Sequence, residues 1–152
     1  MSFGKVDVAA VDLKITIVKG DVSNSSLILD PAGIGDAYQN KKVKWVIAAG
    51  SNVGSFFITK KDGSEQIFDW YDRPPWPFYI KEGKATVKGD APIGSIYDYT
   101  IHWKDTAGKK YHWDPKIAVK SDSLYDLDLL FYILYLVSAM VSFIFRKRFL
   151  YK

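Results

Sequence analysis

The sequence predicts a mainly β protein: a small antiparallel β-sandwich of Greek-key type, followed by one C-terminal transmembrane α-helix. Three observations carry this prediction. Residues 11–120 break into seven or eight short alternating segments separated by turn residues, which is the spacing of a sandwich. Residues 129–145 hold no charge at all. Phe, Trp and Tyr make up 16% of the 152 residues, a content that suits sheets, interfaces and membrane boundaries.

Taken in order, residues 11–18 (VDLKITIV) alternate and are rich in branched side chains, so they read as a strand. Residues 20–26 read as a turn, 26–29 as a short strand, and 30–40 (DPAGIGDAYQN) as a loop. Residues 42–48 form a strand with Val43, Trp45 and Ile47 on one face. After a turn at 50–54, residues 55–59 and 83–87 read as strands, and 96–103, 109–113 and 116–120 complete the set. Parity fixes one hairpin. Tyr97, Tyr99, Ile101 and Trp103 alternate onto one face, as do Tyr111 and Trp113. If both sets point inward, Trp103 faces Tyr111, and Thr106, Ala107 and Gly108 are left as a three-residue loop with Gly at the left-handed position. The same register sets His102 opposite His112 on the outer face.

Residues 129–145 (LLFYILYLVSAMVSFIF) make about 25 Å of helix, enough for a short span. Leu129, Phe131, Tyr132, Leu136, Phe143 and Phe145 are its lipid-facing candidates, with Tyr125 and Tyr132 at headgroup level on one side. Arg146, Lys147 and Arg148 snorkel on the other. Ser138, Ala139 and Ser142 offer a small-residue seam for another helix. The competing reading is a buried core helix, which so small a head is poorly able to wrap. The expected organisation is therefore a head at 1–120, a tether at 121–128, a span at 129–145 and a basic tail at 146–152.

Charge sharpens this division. Seventeen Lys and Arg balance seventeen Asp and Glu over residues 1–128, and Arg146, Lys147, Arg148 and Lys152 supply the whole net charge of +4. A neutral head with a basic tip is not the footprint of a nucleic-acid binder. The basic tail favours a cytoplasmic C-terminus and an extracytoplasmic, periplasmic head. Residues 1–20 show no secretory signal, which argues for the opposite orientation. The two arguments oppose each other.

Zero Cys excludes a disulfide framework, a thiolate metal site and a thiol nucleophile. No phosphate loop, serine-nucleophile motif or His-x-x-x-His pair occurs, so the chain reads as non-enzymatic with no cofactor.

The run Pro92-Ile93-Gly94-Ser95-Ile96-Tyr97-Asp98-Tyr99-Thr100-Ile101, followed by Ile117-Ala118-Val119, resembles the closing half of a cupredoxin. Lys42-Val43-Lys44-Trp45-Val46 is similar to the family's mid-chain strand. The resemblance covers residues 11–120 as a strand plan. It implies a cupredoxin-like sandwich and denies the copper site. Ile101 stands about where the family has its Cys, Gly54 and Ser55 about where it has its first His, and the only Met residues are Met1 and Met140.

Three groups of residues remain. His102 and His112 are weak metal candidates that would need Asp98 or Asp114 as well; the plain alternative is a solvated sheet face. Asp36 with loop carbonyls is a candidate for calcium whose spacing matches no known loop. The segment 69–78 (DWYDRPPWPF) brings Trp70, Tyr71, Arg73, Trp76 and Phe78 together on a stretch that three prolines hold extended. Such residues anchor interfaces, and they equally serve as a lid on an open sandwich end. The sequence thus points to an accessory, assembly or stabilising subunit of a larger membrane complex, of the kind respiratory and photosynthetic complexes carry. Its partners would be other subunits and the lipid bilayer, not nucleic acid. The alternatives are a membrane-anchored redox or metal-handling protein and a tethered ligand-binding head.

Overall fold

A computed structural model describes residues 11–76, 78–121 and 134–138. The chain divides into two units, Met1–Asp122 and Ser123–Lys152. The first is a two-sheet sandwich, mainly β as expected. Its strands are β1 (Leu13–Asp21), β2 (Ser26–Asp30), β3 (Ile34–Tyr38), β4 (Lys42–Ile47), β5 (Val53–Lys60), β6 (Glu82–Thr86), β7 (Ile96–Asp105), β8 (Lys110–Trp113) and β9 (Lys116–Lys120). One sheet has the order β2-β1-β4-β6; the other has β3-β9-β7-β5, with β8 also paired to β7.

The inward face of each strand follows its alternation. Ile15 and Ile17 of β1, Val43 and Trp45 of β4, Phe56 and Ile58 of β5, and Ile117 and Val119 of β9 are all buried. So are Tyr97, Tyr99, Ile101 and Trp103 of β7. Trp45 is central. Its ring meets Phe68, Trp76 and Tyr99 edge-on at centroid distances of 5.8, 5.6 and 6.0 Å, and its Nε1 donates to Tyr99 Oη at 3.2 Å.

The β7–β8 hairpin has the expected register. Trp103 pairs with Tyr111 and His102 with His112, and Gly108 takes a φ of 87° in the connecting loop. Trp103 also explains Gly20, whose place in β1 the sequence reads as a turn. The indole lies against the Gly20 backbone, where a Cβ would collide with it. This close approach lets β1 run on to Asp21.

Four expectations are corrected. Residues 30–40 are not all loop, because β3 lies within them. Its inward residues, Gly35 and Ala37, are too small to show as a hydrophobic pattern, and Leu13 fills the space over Gly35. Asp36, the calcium candidate, is a β3 residue facing Lys120 at 3.7 Å. The sheets are mixed rather than antiparallel: β1 runs parallel to β4, and β3 parallel to β9. The chain moves between sheets after β2, β3, β4, β5 and β6, and these crossovers bring parallel strands side by side. Trp113 is 38% exposed rather than inward, because β8 ends there and the chain turns at Asp114 and Pro115 into β9.

Of the expected 129–145 span, residues 134–138 are described. They are helical and exposed, Leu136 among them. No helix among the described residues is long and apolar enough to cross a membrane. Leu129, Phe131, Tyr132, Phe143, Phe145, Arg146, Lys147 and Arg148 lie outside the described residues.

Candidate functional site

The segment between β5 and β6 is pinned at both ends. On entry, Ile67 and Phe68 are buried and Phe68 bridges to Val87. Asp69 N donates to the Thr86 carbonyl at 2.9 Å, and the Asp72 carboxylate accepts from Thr86 N at 3.0 Å and from its Oγ1 at 2.7 Å. These bonds fasten the segment along β6, the edge of its sheet, and cover strand groups that would otherwise be open to pairing. On exit, Ile80 and Phe56 exchange two backbone hydrogen bonds of 2.8 and 2.7 Å. Residues 70–72 turn, and Trp76 Nε1 donates back to the Asp72 carbonyl at 3.2 Å, so the segment folds on itself rather than staying extended.

Between these pins the rings separate. Trp76 is half-buried and packs on Trp45 and over Gly83, where a Cβ would stand 2.5 Å from the indole. It fills the lid role. Tyr79 lies edge-on to Phe57 at 4.8 Å with Lys104 Nζ above it at 3.9 Å, on the outer face of the β5–β7 pair. Trp70, Tyr71 and Phe78 are 74%, 97% and 73% exposed. The Arg73 guanidinium lies 4.1 Å from the Trp70 ring, a contact that steadies an exposed indole. The site residues read from the sequence therefore stand close along one segment, with three rings outward, one inward, and Arg73 on an outward ring.

Arg73 also approaches the end of the core. Among the described residues Tyr97 Oη is buried without a hydrogen-bond partner, and burial pushes its pKa well above the ordinary tyrosine range, with the charge of Arg73 opposing.

His102 and His112 stand directly across from each other, as the register requires. His102 Nε2 is 2.9 Å from Thr59 Oγ1, and its ring stacks on Phe57 at 4.4 Å. Partial burial, then the neighbouring His112, pulls its pKa below the ordinary value, with Asp114 opposing. The carboxylates needed to complete a metal site are engaged elsewhere. Asp114 accepts from Thr100 at 2.6 Å and pairs with Lys61 at 2.6 Å, while Asp98 pairs with Lys116 at 3.2 Å. Among the described residues no three His, Cys, Asp or Glu gather closely enough to hold a metal ion. Ile101 is a buried core residue, and Gly54 abuts the Asp105 carbonyl.

Sequence reasoning missed an apolar concavity of about 310 Å³ lined by Leu27, Leu29, Ile34, Trp113 and Pro115, with Lys116 at its rim. Its walls come from two stretches far apart in sequence, residues 27–34 and 113–116, so no local pattern announces it. The exposure of Ile28 and Ile34 on neighbouring segments is its only local trace.

No family model matches the chain, and no curated protein matches it either.

Proposed function

We propose that this protein is a non-catalytic accessory, assembly or stabilising subunit of a larger membrane complex, acting through protein contacts of the 69–78 segment. One observation carries the reading. The segment is fastened to the sandwich at both ends, yet presents Trp70, Tyr71 and Phe78 to solvent. Large rings on an already ordered backbone add contact area at little conformational cost, which favours binding to another surface. The head is taken as cupredoxin-like without copper. The long β7, paired with the final strand β9 and carrying Ile101 inward, fits that resemblance. The uncharged run at 129–145 is taken as the membrane anchor, with the basic tail cytoplasmic and the head extracytoplasmic.

Native purification of the full chain in mild detergent, with identification of co-purifying chains, tests this reading. A fixed stoichiometric partner supports it; a monodisperse single chain that pellets with no membrane refutes it. A second reading, a tethered ligand-binding head, is favoured by the concavity beside Trp113. The metal-handling alternative is disfavoured by the engagement of Asp98 and Asp114 in other bonds.

A further inference from the structure

The outer face of the β2-β1-β4-β6 sheet carries a row of like charges. Lys14 of β1 is registered with Lys44 of β4, and Lys44 with Lys84 of β6, so three lysines stand abreast across three adjacent strands. Adjacent strands lie only about 4.8 Å apart, and like charges directly opposite destabilise a sheet. Lys42 and Lys19 share this outward face, against the carboxylates of Glu82 and Asp30. Lys44 Nζ reaches Glu82 at 2.8 Å. Its hydrogen bond and charge, with Lys84 and Lys14 behind, hold the Glu82 carboxyl below its ordinary pKa. One carboxylate thus answers three ammonium groups. The other outer face has one like-charged pair, Lys104 opposite Lys110, while Asp36 pairs with Lys120 and Asp98 with Lys116, so no row of three lysines crosses its described strands.

We propose that this lysine face lies against an anionic lipid bilayer surface, with the 69–78 segment bordering it and its outward rings left to the partner chain. The inference deepens the proposed function and rests on its membrane part, not on its partner subunits. Two features select lipid over an acidic protein. Lysine is depleted in protein interfaces, while each lysine near an anionic leaflet adds favourable energy. The row is also flat and built of point charges, with none of the fork geometry that reads individual carboxylates, and so matches a plane of phosphate headgroups. The aromatic segment joins the same face: Asp72 is bonded to Thr86, which faces outward two residues from Lys84.

The chain has no Cys, so a single introduced thiol reports one place. A fluorophore at Thr16→Cys, beside Lys14, is compared with one at Ser55→Cys on the opposite sheet. The full chain is mixed with phosphatidylcholine vesicles, with or without phosphatidylglycerol, carrying a lipid-borne quencher. The Thr16 label should be quenched only with phosphatidylglycerol, and the Ser55 label not at all. The K14Q/K44Q/K84Q variant should need about tenfold more anionic lipid, and added salt should act the same way. Equal quenching on neutral vesicles, equal quenching of both labels, or an unchanged triple variant overturns the proposal. So does a Thr16 response to soluble poly-glutamate with none to anionic vesicles, which assigns the row to an acidic protein segment. Sedimentation with neutral vesicles reads the anchor separately. If the chain stays on neutral vesicles while the Thr16 label ignores phosphatidylglycerol, the anchor stands and this proposal falls. If it leaves neutral vesicles yet the label responds to anionic ones, the anchor falls and this proposal stands.

Discussion

The β7–β8 hairpin and the 69–80 segment are both dense in aromatic rings, and different forces aim those rings. In the hairpin the pleat decides. Tyr97, Tyr99 and Trp103 alternate inward, while His102 points out because it is one residue off that parity. In the segment no period operates, and each ring goes where a local anchor sends it. Trp76 goes to Trp45, Tyr79 to Phe57, and Trp70 outward under Arg73. A ring placed by a pleat serves the core. A ring placed by an anchored loop is free to serve either the core or a partner.

The largest expected effect tests the hairpin half of this contrast. Trp103→Ala removes a fully buried indole packed against Gly20 and stacked on Tyr111 at 4.3 Å. It should cost roughly 3–5 kcal/mol in urea unfolding. A loss below about 1 kcal/mol would show that the hairpin is not the core wall its register implies.

The next test splits the segment against itself. Trp76→Ala should cost about 3 kcal/mol, because the lid over Trp45 is lost. Gly83→Ala should act in the same direction, since its Cβ would stand 2.5 Å from the Trp76 ring. Trp70→Ala, on a ring 74% exposed, should change stability by no more than about 0.5 kcal/mol. Equal losses for Trp70 and Trp76 would erase the distinction between inward and outward rings.

The smallest effect lies on the outer side of the hairpin. His102 has a lowered pKa in the fold, so the unfolded chain binds its proton more readily. The neutral ring's contribution is complete above its unfolded value of about 6.5 and is lost as pH falls from there through the folded value. Melting temperature should therefore drop between neutral pH and about pH 5, and His102→Gln should flatten that slope. A wild-type slope that survives the substitution would place the titrating group elsewhere.

Much of the sandwich was legible in the sequence because alternation names a strand's buried face. The register of Trp103 on Tyr111 followed from parity and one glycine. What stayed hidden has physical reasons. β3 buries Gly35 and Ala37, which carry too little apolar area to show. The parallel pairs depend on crossovers between sheets, and alternation says nothing of strand direction. Trp113 keeps the parity of an inward residue, but the turn at Asp114 and Pro115 ends the strand beside it. The composition of the 69–78 segment was visible, yet the sorting of its rings was not, because it depends on Asp72 finding Thr86 and Trp76 finding Trp45. The lysine row joins residues about 30 and 40 positions apart, and only the strand register brings Lys14, Lys44 and Lys84 into line.

The central claim is that the outward rings of the segment make contacts with another chain. Its most direct test is native purification of the full chain beside the W70A/Y71A/F78A variant, with a thermal melt of each. The account predicts that the wild type brings a partner chain at fixed stoichiometry. Replacing Trp70 alone should weaken that association by about 2 kcal/mol, roughly thirtyfold, and the triple variant should lose the partner while melting within a few degrees of the wild type. A triple variant that melts normally and keeps its partner in full would contradict it.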